Sequence, residues 1–151
     1  MILRRYIDED SKEASKLFYE TVHTVNAKDY TAEQLCAWAH DEDSLQAKHK
    51  ALMFQHTVIA EMDGKIVGFG SVDKFGCLDM LFVHKDFQRQ VIATAICDEL
   101  EAKFSAIKTY TSITAKPFFE KRHYTVSKQQ EVERSGIKLQ NFEMIKIKDS
   151  I

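Results

Sequence analysis

The chain is poor in the residues that break or staple a fold. One proline and five glycines among 151 residues exclude collagen-like, linker-rich and low-complexity designs. The three cysteines, Cys36, Cys77 and Cys97, are an odd count, far apart and in no C-x-x-C pair. A disulfide framework is therefore not expected, and the thiols read as reduced ones in a cytoplasmic protein. No run approaches the roughly 18 apolar residues of a membrane span. Met1–Tyr6 mixes arginines with apolar residues before Asp8-Glu9-Asp10, which does not read as a secretory signal. An excess of one charge is missing too. Lys plus Arg number 21 and Asp plus Glu 23, a formal net charge of -2, so the basic footprint of a nucleic-acid binder is absent.

What is present suits an ordinary globular protein. The chain is 44% hydrophobic and 29% charged, enough to bury a core in one domain over residues 1–151 and too apolar for intrinsic disorder. Ile2–Ile7 alternates like a short strand. From Ser11 to Val25, the residues Ala14, Leu17, Phe18, Val22 and Val25 share one helical face. Thr31-Ala32-Glu33-Gln34 is a capping-box pattern opening a second helix, and Asp43–Phe54 is a third helical stretch. His56–Met62 and Lys65–Val72 are strand-like runs joined by Asp63-Gly64, a two-residue hairpin signal.

Cys77–Val83 is a further strand, followed by a polar loop and a helix from about Val91 to Phe104. Ile107–Ile113 returns to strand. Thr114 is placed to cap a short helix, Ala115–Lys121, with Pro117 in its first turn. Tyr124–Glu133 and Ile137–Ile147 are final strands around Ser135-Gly136. In the last one the apolar positions slip from 137 and 139 to 142 and 144 and then to 145 and 147, which predicts a bulge or bend. This order of strands and helices predicts an α/β (α+β) mixed sheet with helices on its faces.

The most informative segment is Leu78–Ala95, where a strand enters a short polar loop that opens a helix. The first N–H groups of such a helix lack partners, and its dipole adds positive charge, a geometry suited to a pyrophosphate. Here the sequence resembles the GNAT superfamily of N-acetyltransferases, whose acyl-CoA loop reads Gln/Arg-x-x-Gly-x-Gly/Ala. Gln88-Arg89-Gln90-Val91-Ile92-Ala93 matches that frame at Gln88 and Ala93, after the strand end Leu81-Phe82-Val83. The Asp63-Gly64 hairpin, the Phe118–Tyr124 segment and the last hairpin follow the family order.

The resemblance implies a mostly antiparallel sheet of six or seven strands, with the fourth and fifth diverging around acetyl-CoA. It also implies direct acetyl transfer to a primary amine of a small molecule or peptide. Phe82 and Val83 would offer backbone groups to the pantetheine arm. Gln88, Arg89, Gln90, Val91, Ile92, Ala93 and Thr94 would wrap the pyrophosphate. Ser112 stands where the family often has an asparagine touching the cofactor. Asp79 is the candidate general base, because an amine must lose a proton around its attack. A partly apolar cleft would push such a carboxylate's pKa upward. Tyr19, His23 and Trp38 are candidate acceptor contacts, against the alternative that they are helix–helix packing.

Three departures stand out. Val91 replaces the loop glycine and would be strained if its φ were positive. His123 replaces a second glycine, and Phe119 replaces the tyrosine that protonates the leaving thiolate. An alternative reading is therefore a non-catalytic acyl-CoA-binding or interaction module. Six histidines form no H-E-x-x-H or Cys/His ligand pattern, so no metal is expected. A homodimer is the default oligomer, and neither nucleic acid nor membrane is an expected partner.

Overall fold

In the computed structural model, which describes residues 1–88 and 91–148, seven strands form one sheet. They are β1 (Ile2–Arg5), β2 (His56–Met62), β3 (Lys65–Val72), β4 (Cys77–Val83), β5 (Ala106–Ser112), β6 (Thr125–Arg134) and β7 (Ile137–Ile147). Their spatial order is β1-β2-β3-β4-β5-β7-β6. Every neighbouring pair is antiparallel except β4–β5. The α-helices are α1 (Ser11–Thr24), α2 (Ala32–Trp38), α3 (His49–Phe54), α4 (Ile92–Glu101) and α5 (Lys116–Lys121).

Local chemistry explains most of these elements. Asp63 and Gly64 both take positive φ, 51° and 76°, the twist that a two-residue hairpin demands. Thr31 and Gln34 close the expected capping box, each side chain accepting from the other's backbone N–H at 3.1 and 2.9 Å. The third helical stretch is divided: Ser44–Lys48 winds as a 3₁₀ helix before α3. Thr114 is not the cap expected. Its hydroxyl donates to Asp29 at 2.7 Å, and the Ser112 hydroxyl instead accepts from the Ala115 N–H at 3.0 Å.

The sheet is covered on both faces. Leu17, Phe18 and Val22 of α1 pack with Leu35, Leu52, Ile59, Phe69 and Leu139 on one side. Ile92, Ile96 and Leu100 of α4 pack with Val58, Val67, Leu78, Ile107 and Met144 on the other. Close approach of α4 to β3 requires Gly70, where a Cβ would lie 2.8 Å from Ile96 Cγ2.

This double coverage corrects the bulge expected in the last strand. Leu139 is buried on the α1 face and Met144 on the α4 face, so unbroken alternation along β7 produces the slip. The extra residue lies on β6, where Ser127 falls between Val126↔Met144 and Lys128↔Glu143.

The irregularity that matters for a site is on β4. Met80 faces Ser71 and Leu78 faces Val72 on β3, leaving Asp79 without a partner. Such a bulge bends the strand and re-aims a side chain. At the same point β4 parts from β5, which it pairs only through Cys77↔Lys108 and Leu78↔Thr109. Beyond Leu78 the two strands diverge into an opening in the sheet.

Candidate active site

The opening exposes one edge of β4. The His84 N–H donates to Val67 O at 2.8 Å, and Phe82 sits opposite Phe69. Alternation in an antiparallel ladder therefore turns the peptide groups of Phe82 toward β3 and those of Val83 toward the opening. Val83 O accepts from Gln88 Nε2 at 2.5 Å and from the Thr21 hydroxyl at 3.5 Å. The Gln88 side chain thus seals the strand end, and the first residue of the loop motif has a structural task.

At the far side of the loop, α4 begins at the opening. Arg89 and Gln90 lie outside the described residues. Val91 caps α4 with φ -62° and makes no side-chain capping bond, and it is 74% exposed. The left-handed conformation that would strain a valine is absent. Ile92 is buried and Ala93 packs on the same core, so their side chains anchor the turn. Among the described residues no side chain caps α4, and the first turn of a helix carries the dipole and N–H donors that bind anions.

Thr94 leads into a groove of about 420 Å³ between α4 and α5, lined also by Asp98, Phe118, Lys121, Arg122, His123 and Lys146. A buried ionic cluster holds its floor. The Glu101 carboxylate, 3% exposed, accepts from Arg122 Nε at 3.0 Å, Lys146 Nζ at 2.8 Å and the Tyr124 hydroxyl at 2.9 Å. Arg122 also reaches Asp98 at 2.9 Å. Burial, then the Glu101 charge, raises the Tyr124 phenol above its ordinary pKa. Burial pushes the Cys97 thiol up to about 12.

The end of α5 fits its sequence closely. His123 takes φ 72°, its N–H donates to Glu120 O, and Tyr124 N–H donates to Phe119 O, both at 3.0 Å. This is a Schellman termination, with Tyr124 packed edge-on against Phe119 at 5.0 Å. His123 does occupy a glycine-like position. Phe119 is buried in the α4-side core.

On the α1 side of the sheet, Asp79 lines a cleft of about 320 Å³ with Leu78, Tyr110, Gln130, Val132, Arg134 and Asn141. Val83 is buried toward α4, so counting in twos from it would send Asp79 to that face; the bulge is what delivers Asp79 to the cleft. Asp79 is exposed there and does not sit in an apolar pocket. Glu143, opposite Tyr110 on β7, holds the Tyr110 phenol above its ordinary pKa.

The other candidates are in structural use. Tyr19 and His23 stack at 4.3 Å, and His23 Nε2 donates to Ala39 O at 2.7 Å. Trp38 packs against Tyr30 at 5.5 Å and Phe82 at 6.4 Å. Tyr19 and Trp38 pack on the α1-side core, and none of the three lines the cleft around Asp79. Ser112 accepts from Asn26 Nδ2 at 3.4 Å as well as from Ala115, tying the loop after α1 to the end of β5. Sequence reasoning missed Tyr110, Gln130, Arg134 and Asn141. Alternation along β5 marks Tyr110 as outward, but only cross-strand register brings the other three to Asp79.

Among the described residues, no group of three or more His, Cys, Asp or Glu could hold a metal ion. Nor is any described helix long and apolar enough to cross a membrane.

Comparison with known proteins meets this geometry. An acetyltransferase (GNAT) domain model matches residues 26–146. The Escherichia coli (strain K12) uncharacterized N-acetyltransferase YafP is 33% identical over 143 residues, covering 94% of this chain and 93% of that protein. A Rhodopseudomonas palustris crystal structure, described as a GCN5-related N-acetyltransferase and also as aminotransferase, class-II, is 34% identical with a TM-score of 0.88. It covers 97% of this chain and 94% of that one. The PaiA N-acetyltransferase of Thermoplasma acidophilum, solved in complex with coenzyme A, shares the fold. Its TM-score is 0.73 at 16% identity, over 97% and 98% of the two chains.

Proposed function

This chain belongs to the GNAT family of acetyltransferases, and on that footing we propose that it moves the acetyl group of acetyl-CoA to a primary amine of a small molecule by direct attack in a ternary complex. The carrying observation is the opening between β4 and β5, with the uncapped start of α4 at one end and the Asp79 cleft on the α1 face. The residues fit the donor. The first turn of α4 offers amides and a dipole to a pyrophosphate, and the outward Val83 N–H can donate to an extended arm, the Val83 carbonyl being already engaged by Gln88 and Thr21. Coenzyme A in the PaiA structure supports the same donor class.

Acetyl-CoA, when bound, supplies a thioester whose carbonyl carbon takes the amine nitrogen, so that a C–N bond forms, the C–S bond breaks and the second proton the nitrogen sheds passes to the departing thiolate, which is released as free thiol. The chain's part is positional and protonic. Asp79 accepts the proton that an ammonium acceptor must shed before its nitrogen can attack. Phe119 has no proton to give, and a thiol of pKa about 8.5 needs none before leaving. Direct transfer is supported by the state of the thiols near the opening. Cys77 on β4 and Cys97 on α4 both have their pKa raised chiefly by burial, which disfavours the thiolate needed for an acyl-enzyme. The free thiols Cys36, Cys77 and Cys97 accord with a cytoplasmic setting.

The test combines ligand-induced thermal stabilisation with thiol release over an amine panel. Acetyl-CoA at 100 times its dissociation constant should add about 2.7 kcal/mol of stability. Asp79→Asn should keep that increment and lose roughly 10²–10⁴-fold in kcat/KM. Absence of stabilisation by acetyl-CoA would overturn the reading. Binding with no thiol released from any amine would make the chain a binding module.

A further inference from the structure

The cleft on the α1 face holds opposite charges that the protein itself leaves unmatched. Arg134 ends β6 and reaches the cleft from beside the Ser135-Gly136 turn, while Asp79 enters from the bulge of β4. Among the described residues neither takes part in an ion pair. Glu143, the other carboxylate of this region, is already engaged by the Ser127 hydroxyl at 2.9 Å and by Lys108 at 4.0 Å. Between the two charges stands Asn141, opposite Gln130 on β6. Its Oδ1 is shielded from solvent and has no hydrogen-bond partner.

An acceptor left without a donor costs free energy, so an orphan in a cleft wall points to a donor that arrives with a ligand. The terminal torsion of an asparagine is soft enough to turn its oxygen into the cleft. A guanidinium presents a fork that matches a carboxylate with two parallel bonds. A carboxylate and an amide oxygen together suit an ammonium. The volume, about 320 Å³, lies at the small end of ligand sites.

From this arrangement we propose that the acceptor is a small amino acid, its amine held by Asp79 and Asn141 and its carboxylate by Arg134. The proposal rests on the acetyltransferase reading and narrows it. A peptide amino terminus carries no carboxylate beside its amine, and a simple alkylamine carries none at all, so Arg134 discriminates against both. Arg134 is a specificity residue. It takes no part in the proton transfer assigned to Asp79.

The experiment titrates the full chain calorimetrically, alone and with saturating coenzyme A, using matched pairs: leucine and isoamylamine, phenylalanine and phenethylamine, 4-aminobutyrate and butylamine. At least one amino acid should bind ten- to a hundredfold tighter than its carboxylate-free partner, the span of a charge-assisted hydrogen-bonding pair. Arg134→Gln should erase that preference and leave the alkylamine's affinity within twofold, and Arg134→Lys should restore part of it. Circular dichroism confirms that the variants fold. Equal affinity within every pair, a preference that survives Arg134→Gln, or no binding by any of the six compounds overturns the proposal. Thiol release from acetyl-CoA is measured in parallel. Release with alkylamines as efficient as with amino acids leaves the acetyltransferase reading standing and removes this one. Arg134-dependent binding of an amino acid with no release under any condition supports this assignment and removes the acetyltransferase reading.

Discussion

Replacing Glu101 with leucine isolates the energetic weight of the ionic cluster under the α4–α5 groove. The carboxylate is 3% exposed, and its charged partners Arg122 and Lys146 are 12% and 17% exposed. Removing one member of a buried pair typically costs about 3–5 kcal/mol, because the remaining charge is left desolvated. Arg122 keeps Asp98 at 2.9 Å, and both cations retain some access to water, so the low end, about 3 kcal/mol, is expected. That is a large share of the roughly 5–15 kcal/mol that holds a domain together. At about 2–4 °C per kcal/mol for a chain of this size, Tm should fall by roughly 6–12 °C. Urea unfolding should show the same loss as a lower midpoint at unchanged slope. Tyr124→Phe, which removes only one hydrogen bond to the same carboxylate, should cost about 1 kcal/mol. A Glu101→Leu loss under about 1 kcal/mol would refute the reasoning and show that the cluster breaks even against an apolar replacement.

The other expectations concern single positions. His123→Gly should raise stability by roughly 0.5–1 kcal/mol in a thermal melt, since φ 72° strains a side-chain-bearing residue and suits glycine, less the entropy glycine loses on folding. Val91→Asp should shift two observables in opposite directions. Adding a cap to α4, which has no side-chain cap, should stabilise the free protein by about 1 kcal/mol, while the new carboxylate should weaken acetyl-CoA binding in a titration by competing for the same amides. Asp10 gives a pH dependence. Burial raises its pKa, but the Arg4 fork at 2.8 Å and the Ile7 N–H at 2.9 Å outweigh it and leave the pKa below the ordinary value. Its contribution is therefore fully present above about pH 4, the unfolded value, and is lost as pH falls through the lower folded one. The stability gap between wild type and Asp10→Asn should be flat at neutral pH and close below about pH 4.

Much of the fold was legible because it is written in short-range chemistry. Period-2 and period-3.6 patterning, the Thr31–Gln34 box and the Asp63-Gly64 turn act within a few residues, so the order of strands and helices follows from the chain itself. The loop motif likewise placed a helix start after a strand end, and Gln88 and Ile92 hold that junction. What went astray needed neighbours. The slip in β7 came from apolar residues on both faces of a sheet that is covered on both sides, and Thr114 gave its hydroxyl to Asp29 and not to the helix start.

The candidate site divides the same way. The sequence by itself determined that a carboxylate, Asp79, lies on the strand leading to the loop, and that Phe119 and His123 depart from the family pattern. Only the tertiary structure decided where Asp79 points, because a bulge is a mismatch between two strands and does not belong to either one alone. Only it assembled Tyr110, Arg134 and Asn141 around that carboxylate, since they lie 31, 55 and 62 positions after Asp79 along the chain. Local propensity sets which way each strand alternates. Long-range register selects which outward-facing residues meet, and a pocket is made of such meetings.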